Sequence, residues 1–212
     1  MKHILILAAN PKDTNSLRLD QEVRDIDSEL NKASLREKFK LHQRWAVRPR
    51  DFQRALLDIN PNIVHFCGHG EGEKGIALEN ASGQAHLVPN AALANLFALC
   101  AKQIDCVLLN ACYAKVQAEA IVKHIDYVIG MQQAVPDDVA IAFSTGFYKG
   151  LGAGQSIDDA FITGRSAIDP NSPVGKKYRK ATNINLPGQP TQEPVSFDKL
   201  PVLRRKIDLQ QM

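Results

Sequence analysis

The chain has 212 residues, of which 44% are hydrophobic and 23% charged, with a formal charge of +3. Such a length suits one ordinary domain with a real core, the composition is that of a soluble globular protein, and the charge is too small to predict a nucleic-acid footprint. No apolar run approaches the ~18 residues of a membrane span, so neither nucleic acid nor membrane is expected as a partner.

The opening "MKHILILAANPKD" starts basic, but its apolar stretch ends at Ala9 and meets Asn-Pro. It is too short for the ~7–15-residue core of a signal peptide and reads as a first strand. The four cysteines, Cys67, Cys100, Cys106 and Cys112, show no C-x-x-C spacing. Reduced thiols and a cytoplasmic location are therefore expected.

Strand and helix signals then alternate. "HILILAA" (3–9) is an apolar run of the kind buried on both faces of a sheet. In the segment that follows, Leu19, Val23, Ile26 and Leu30 fall on one helical stripe. "KFKLHQRW" (38–45) alternates with period two, a half-exposed strand, and "PRDFQRALLDI" (49–59) is a short helix opened by Pro49 and stopped by Asn60-Pro61. "NIVHF" (62–66) is a strand, and Asn80 to Gly83 supply the turn of a small hairpin. Leu93, Leu96, Phe97 and Cys100 mark a buried helix face. "DCVLLNA" (105–111) is a second wholly apolar strand, followed by the helix "AKVQAEAIVKHI" and the strand "DYVIGM" (126–131). Val139, Phe143 and Phe147 recur at every fourth place, and "SIDD" at Ser156 matches a capping box.

Short apolar strands separated by helices predict a mostly parallel sheet with helices on both faces, an α/β fold. From Asp169 the periodicity lapses. Residues 1–168 are expected to form the domain and 169–212 an extended tail, docked in part by "FDKLPVL".

Ligands and reacting groups gather beyond the carboxyl ends of strands in parallel sheets. "NIVHFCGHG" delivers His69 to that edge and "DCVLLNACYA" delivers Cys112. If the two strands are neighbours, an imidazole and a thiol meet, which is what a nucleophilic cysteine needs. The N–H groups of Gly70 and Cys112 are candidate oxyanion donors. No Asp or Asn is placed in sequence to orient the imidazole, so the expectation is a dyad. Cys67, Cys100 and Cys106 sit in apolar patterns and read as packing residues. His3, His42, His86 and His124 read as surface or packing residues. His65 and His69 have the i, i+4 spacing of helical zinc motifs, but they stand on a strand and its turn, so neither metal nor cofactor is expected. "GHGEGEKG" leads into a hairpin and carries Glu71 and Glu73, unlike a phosphate loop.

"VHFCGHGEGEKGIALEN" and "VLLNACYAKVQAEAI" resemble the two signature blocks of the CHAT proteins, caspase-like cysteine peptidases of bacteria. The resemblance spans nearly the whole of residues 1–168 but not the tail. It implies the three-layer α/β/α sandwich of caspases, metacaspases and separases, with His69 and Cys112 as the catalytic dyad. Their separation is 43 residues (112 − 69), near the ~50 of caspases. The cysteine is followed by Tyr113 and Ala114, unlike in caspases, and Asn110 stands where metacaspases carry an acid that binds a basic side chain. Asn110, Glu71, Asp137 and Asp138 are weaker candidates for contact with substrate. The resemblance implies a cysteine endopeptidase acting on proteins or peptides, in bacterial signalling or defence, under control of a separate sensor or activator. The alternative is a catalytically silent caspase-fold interaction module. A nucleotide- or flavin-binding domain fits less well, since "AANPKD" stands where its glycine-rich turn belongs.

Overall fold

The computed structural model describes residues 1–181 and 200–206. Strands β1 (Lys2–Ala8), β2 (Phe39–Arg44), β3 (Ile63–Cys67), β6 (Cys106–Asn110), β7 (Tyr127–Gly130) and β8 (Val202–Arg205) form one sheet in the order β2-β1-β3-β6-β7-β8. All pairings are parallel except β7 with β8. A separate antiparallel hairpin joins β4 (Ile76–Glu79) to β5 (Ala85–Val88). Its turn is closed by Asn80 Oδ1, which accepts the Ser82 and Gln84 N–H groups, the local bonding that suits Asn to turns.

The continuous apolar runs are central strands, because helices cover both faces. All five residues of β3 and all five of β6 are buried. One face packs against α2 (Pro49–Ile59), α3 (Asn90–Leu99) and α4 (Lys115–Ile121), through Phe52, Leu56, Leu93, Phe97 and Ile121. Phe52 and Phe97 meet edge to face at 5.9 Å, a preferred aromatic geometry. The other face carries α1 (Leu19–Lys32), α5 (Asp137–Gly152) and α6 (Ile157–Ala167), with Val23, Ile26, Phe143 and Phe147 in the core. The expected three-layer α/β/α sandwich is therefore present.

Local signals operate as the residues suggest. Asn60 ends α2 in the left-handed region, φ 51°, which Asn tolerates. Ser156 Oγ caps α6 by accepting the Asp159 N–H at 3.1 Å. His3 and His42, read as surface or packing residues, stack on each other with their rings 5.1 Å apart.

The segment after 168 does more than trail. Helix α7 (Pro173–Ala181) packs on α5, where Lys177 and Tyr178 hydrogen-bond to Asp138. Leu200 is fully buried, and β8 closes the β7 side of the sheet. Residues 197–199 of "FDKLPVL" lie outside the described residues. Periodicity lapses here because a four-residue strand and a short helix carry too few repeats to register.

Candidate active site

β3 and β6 are hydrogen-bonded neighbours, and Cys67 is the register partner of Asn110. His69 and Cys112 each stand two residues beyond that pair. The register thus brings both to the same height at the carboxyl edge, on strands about 4.8 Å apart. Both are partly exposed and both line one small cavity of about 40 Å³.

Gly70 lets the two loops meet. A Cβ at Gly70 would stand 2.3 Å from the Cys112 carbonyl oxygen, an impossible contact for any other residue without backbone movement. The missing side chain lets the Gly70 backbone lie directly against the cysteine loop. Tyr113 takes a positive φ of 56°, which for a bulky residue is a strained turn. That turn carries the chain from Cys112 into α4. Among the described residues, no acceptor meets the N–H of Gly70 or of Cys112. Cys112 Sγ accepts the Val135 N–H at 3.5 Å, which fixes the thiol on the cavity side.

His69 Nε2 lies 2.8 Å from the Asn15 carbonyl oxygen. A carbonyl can only accept, so Nε2 carries the hydrogen and Nδ1 is the basic nitrogen of the neutral ring. The orienting group that sequence did not reveal is thus main chain, from the loop after β1. No side-chain pattern could have disclosed it.

The weaker candidates separate. Asn110 lines the cavity but is buried, its amide spent on Glu22 Oε1 at 2.5 Å and Ser144 Oγ at 3.0 Å. Asp137 also lines the cavity and accepts the Arg18 N–H at 3.1 Å. Asp138 is drawn away toward α7. Burial pushes its carboxyl up, but hydrogen bonds from Lys177 and Tyr178, with the Lys177 charge, outweigh this and hold it below the usual value. Glu71 faces a different groove, of about 440 Å³, lined also by Gly70, Tyr113 and Lys115, and pairs with Lys74 at 3.1 Å.

At the cavity Asn110 belongs to a buried polar cluster around Glu22, an acid that sequence reading missed. Glu22 of α1 is buried and accepts from Asn110 and from Ser144 Oγ at 2.8 Å. His65 Nε2 is 3.1 Å away but off the axis of a good hydrogen bond, and the ring stacks on Tyr148 at 5.7 Å. The signal was available. Glu22 falls between Leu19, Val23 and Ile26 on the buried stripe, so its charge had to be housed inside. Atoms of Glu22, His65 and Cys67 lie within 4.8 Å of one another, a donor set of the kind that holds a transition metal. His65 and His69 do not act as a pair, since one ring points to Glu22 and the other to Asn15. Burial pushes the Cys67 and Cys106 thiols well up, which leaves them poor nucleophiles at neutral pH.

A mostly parallel sheet in this order, enclosed by helices and bearing histidine and cysteine just past the ends of its two central strands, has the architecture of the caspase-like class. Within that class the chain belongs to the CHAT domain family, whose model matches residues 5–179. It is 25% identical over 177 residues to a "Probable protease" of Gillisia limnaea, a match covering 82% of this chain and 31% of that protein. It is 24% identical over 174 residues to a "Roc-COR-CHAT protease" of an unknown prokaryotic organism, covering 79% of this chain and 16% of that protein. The chain thus spans less than a third of either curated relative. Among solved structures, a secreted C11 cysteine protease from Bacteroides thetaiotaomicron, in complex with an irreversible peptide inhibitor, superposes with a TM-score of 0.61 at 14% identity. That match covers 99% of this chain and 68% of the protease. A second structure of a secreted C11 protease from that organism, called iotapain, gives 0.56 at 13% identity, covering 82% and 64%.

Proposed function

We propose that the protein is a cysteine endopeptidase in which His69 and Cys112 form the reacting pair. The observation that carries this reading is the β3–β6 register, which sets both residues two positions past a paired Cys67 and Asn110, around one cavity. In this mechanism the Cys112 thiol gives its proton to Nδ1 of His69, and the sulfur attacks the scissile carbonyl carbon. The oxyanion is met by the free N–H groups of Gly70 and Cys112. Collapse of the tetrahedral adduct expels the amine, which takes the proton from His69 and leaves a thioester. Water, deprotonated by His69, then releases the acid and restores the thiol.

Protein or peptide is the substrate, and a separate sensor or activator governs the site. The names of the two relatives support a protease, and the small size of the cavity is consistent with a site that a partner must open. The setting is bacterial signalling or defence in the cytoplasm. No helix among the described residues is long and apolar enough to cross a membrane.

The test is active-site labelling. A peptidyl acyloxymethylketone should modify Cys112 in the wild type, and His69→Ala should slow this by about 100-fold or more, in the range of general acid–base catalysis. Cys112→Ala should take no label. No modification of the wild type with any activating partner would overturn the reading. The small cavity also favours a second reading, a catalytically silent interaction module. That reading wins if Cys112→Ala preserves every cellular effect.

A further inference from the structure

We infer that Glu22 makes the cavity beside Cys112 selective for a basic side chain, lysine or arginine, on the acyl side of the scissile bond. The inference rests on the peptidase reading and names its substrate class. Apolar side chains, Leu17, Met131, Val135 and Ile141 among them, line most of the cavity, and the carboxyl-bearing Glu22 lines it with them. Three polar groups converge on one oxygen of Glu22: Asn110 Nδ2, Ser144 Oγ and, off axis, His65 Nε2. No described residue donates to Oε2, which leaves it as the acceptor for an entering group. Among the described residues, neither Lys nor Arg pairs with Glu22. Among the described residues lining the cavity, Arg18 carries the one guanidinium, and it pairs with Asp137, Nε to Oδ2 at 3.7 Å.

Apolar walls leading to a carboxylate suit a side chain with an aliphatic stem and a cationic head. A neutral side chain of the same length would bury Oε2 without a donor, a penalty that gives a polar pocket its discrimination. Asn110, two residues before the cysteine, acts here through another group: its amide fixes Glu22 in place. Sequence does not single out Glu22, because the acid sits on α1, far from both signature blocks.

The experiment compares two peptidyl acyloxymethylketones that differ only in the residue next to the ketone, lysine or the neutral isostere norleucine. Labelling of Cys112 should be about 100-fold faster with lysine, the scale of a charge-assisted contact in a closed site. In Glu22→Gln the ratio should fall to roughly a tenth of that or less. Because Glu22→Gln could unfold the core, a second measurement uses the wild-type sequence, under the same activating conditions as the labelling. N-acetyl-lysine methylamide should protect Cys112 from iodoacetamide, and N-acetyl-norleucine methylamide should not. Equal labelling by the two ketones, equal protection or no protection by the two amides, or a folded Glu22→Gln that keeps the full ratio, would overturn the inference. Failure of the peptidase reading looks different: neither ketone labels Cys112, yet the lysine amide still protects it.

Discussion

His69 and Asn15 are joined by a single contact: Nε2 of the ring donates to the main-chain carbonyl across 2.8 Å. The contact selects one tautomer, with Nδ1 left as the proton acceptor. In nitrogen-15 spectra of the neutral protein, His69 should show Nε2 protonated and Nδ1 bare. The opposite tautomer would mean that Nδ1 cannot take the Cys112 proton.

Gly70 tolerates no side chain, since its Cβ would lie 2.3 Å from the Cys112 oxygen and 3.2 Å from Ala111 Cβ. Gly70→Ala should push the two loops apart. We expect destabilisation of about 1–3 kcal/mol, typical of overpacking. Labelling of Cys112 should slow by at least about tenfold, in line with a misplacement near 1 Å. Chemical denaturation and probe kinetics on the same preparation test both.

Ser144 is wholly buried and donates to Glu22 at 2.8 Å. Replacing it by alanine leaves the carboxylate short of one donor. Urea unfolding of Ser144→Ala should show a loss of about 1.5–3 kcal/mol, the range for hydrogen bonds to charged groups. A loss near zero would mean that water replaces the hydroxyl.

His42 stacks against His3, and its pKa is lowered below the ordinary 6.5, first by burial and then by the charges of His3, Lys40 and Arg44. The unfolded chain therefore binds this proton more readily than the folded one between the lowered value and 6.5. By linkage, stability rises with pH across that window and is lost on acidification through it. Proton titration by NMR should give His42 a midpoint under 6.5. His42→Gln should flatten the fall in melting temperature as the pH drops from 7 toward 5.

Leu200 is fully buried against the face that holds α5 and α6. It precedes β8, which pairs with β7 from Tyr127↔Arg205 to Gly130↔Val202. Leu200→Ala should cost about 2–5 kcal/mol, as for other buried leucines. If the stability is unchanged, the segment does not belong to the cooperative unit.

The alternation of apolar runs with helical stripes was enough to predict the layered sheet, because burial on two faces or one imposes different periods on a short window of residues. Residue type and position likewise mark His69, Gly70 and Cys112 as candidates, since each lies just past a wholly buried strand. Tertiary structure decided what no local window contains. It made β3 and β6 neighbours, lent the Asn15 carbonyl to His69, and set Glu22, on the buried stripe of α1, against the cavity. It also brought a strand from beyond residue 200 to the end of the sheet. Main-chain acceptors have no sequence signature, and four-residue strands carry too little period to be read. A buried carboxylate becomes intelligible only when its donors, here Asn110 and Ser144, arrive from distant parts of the chain.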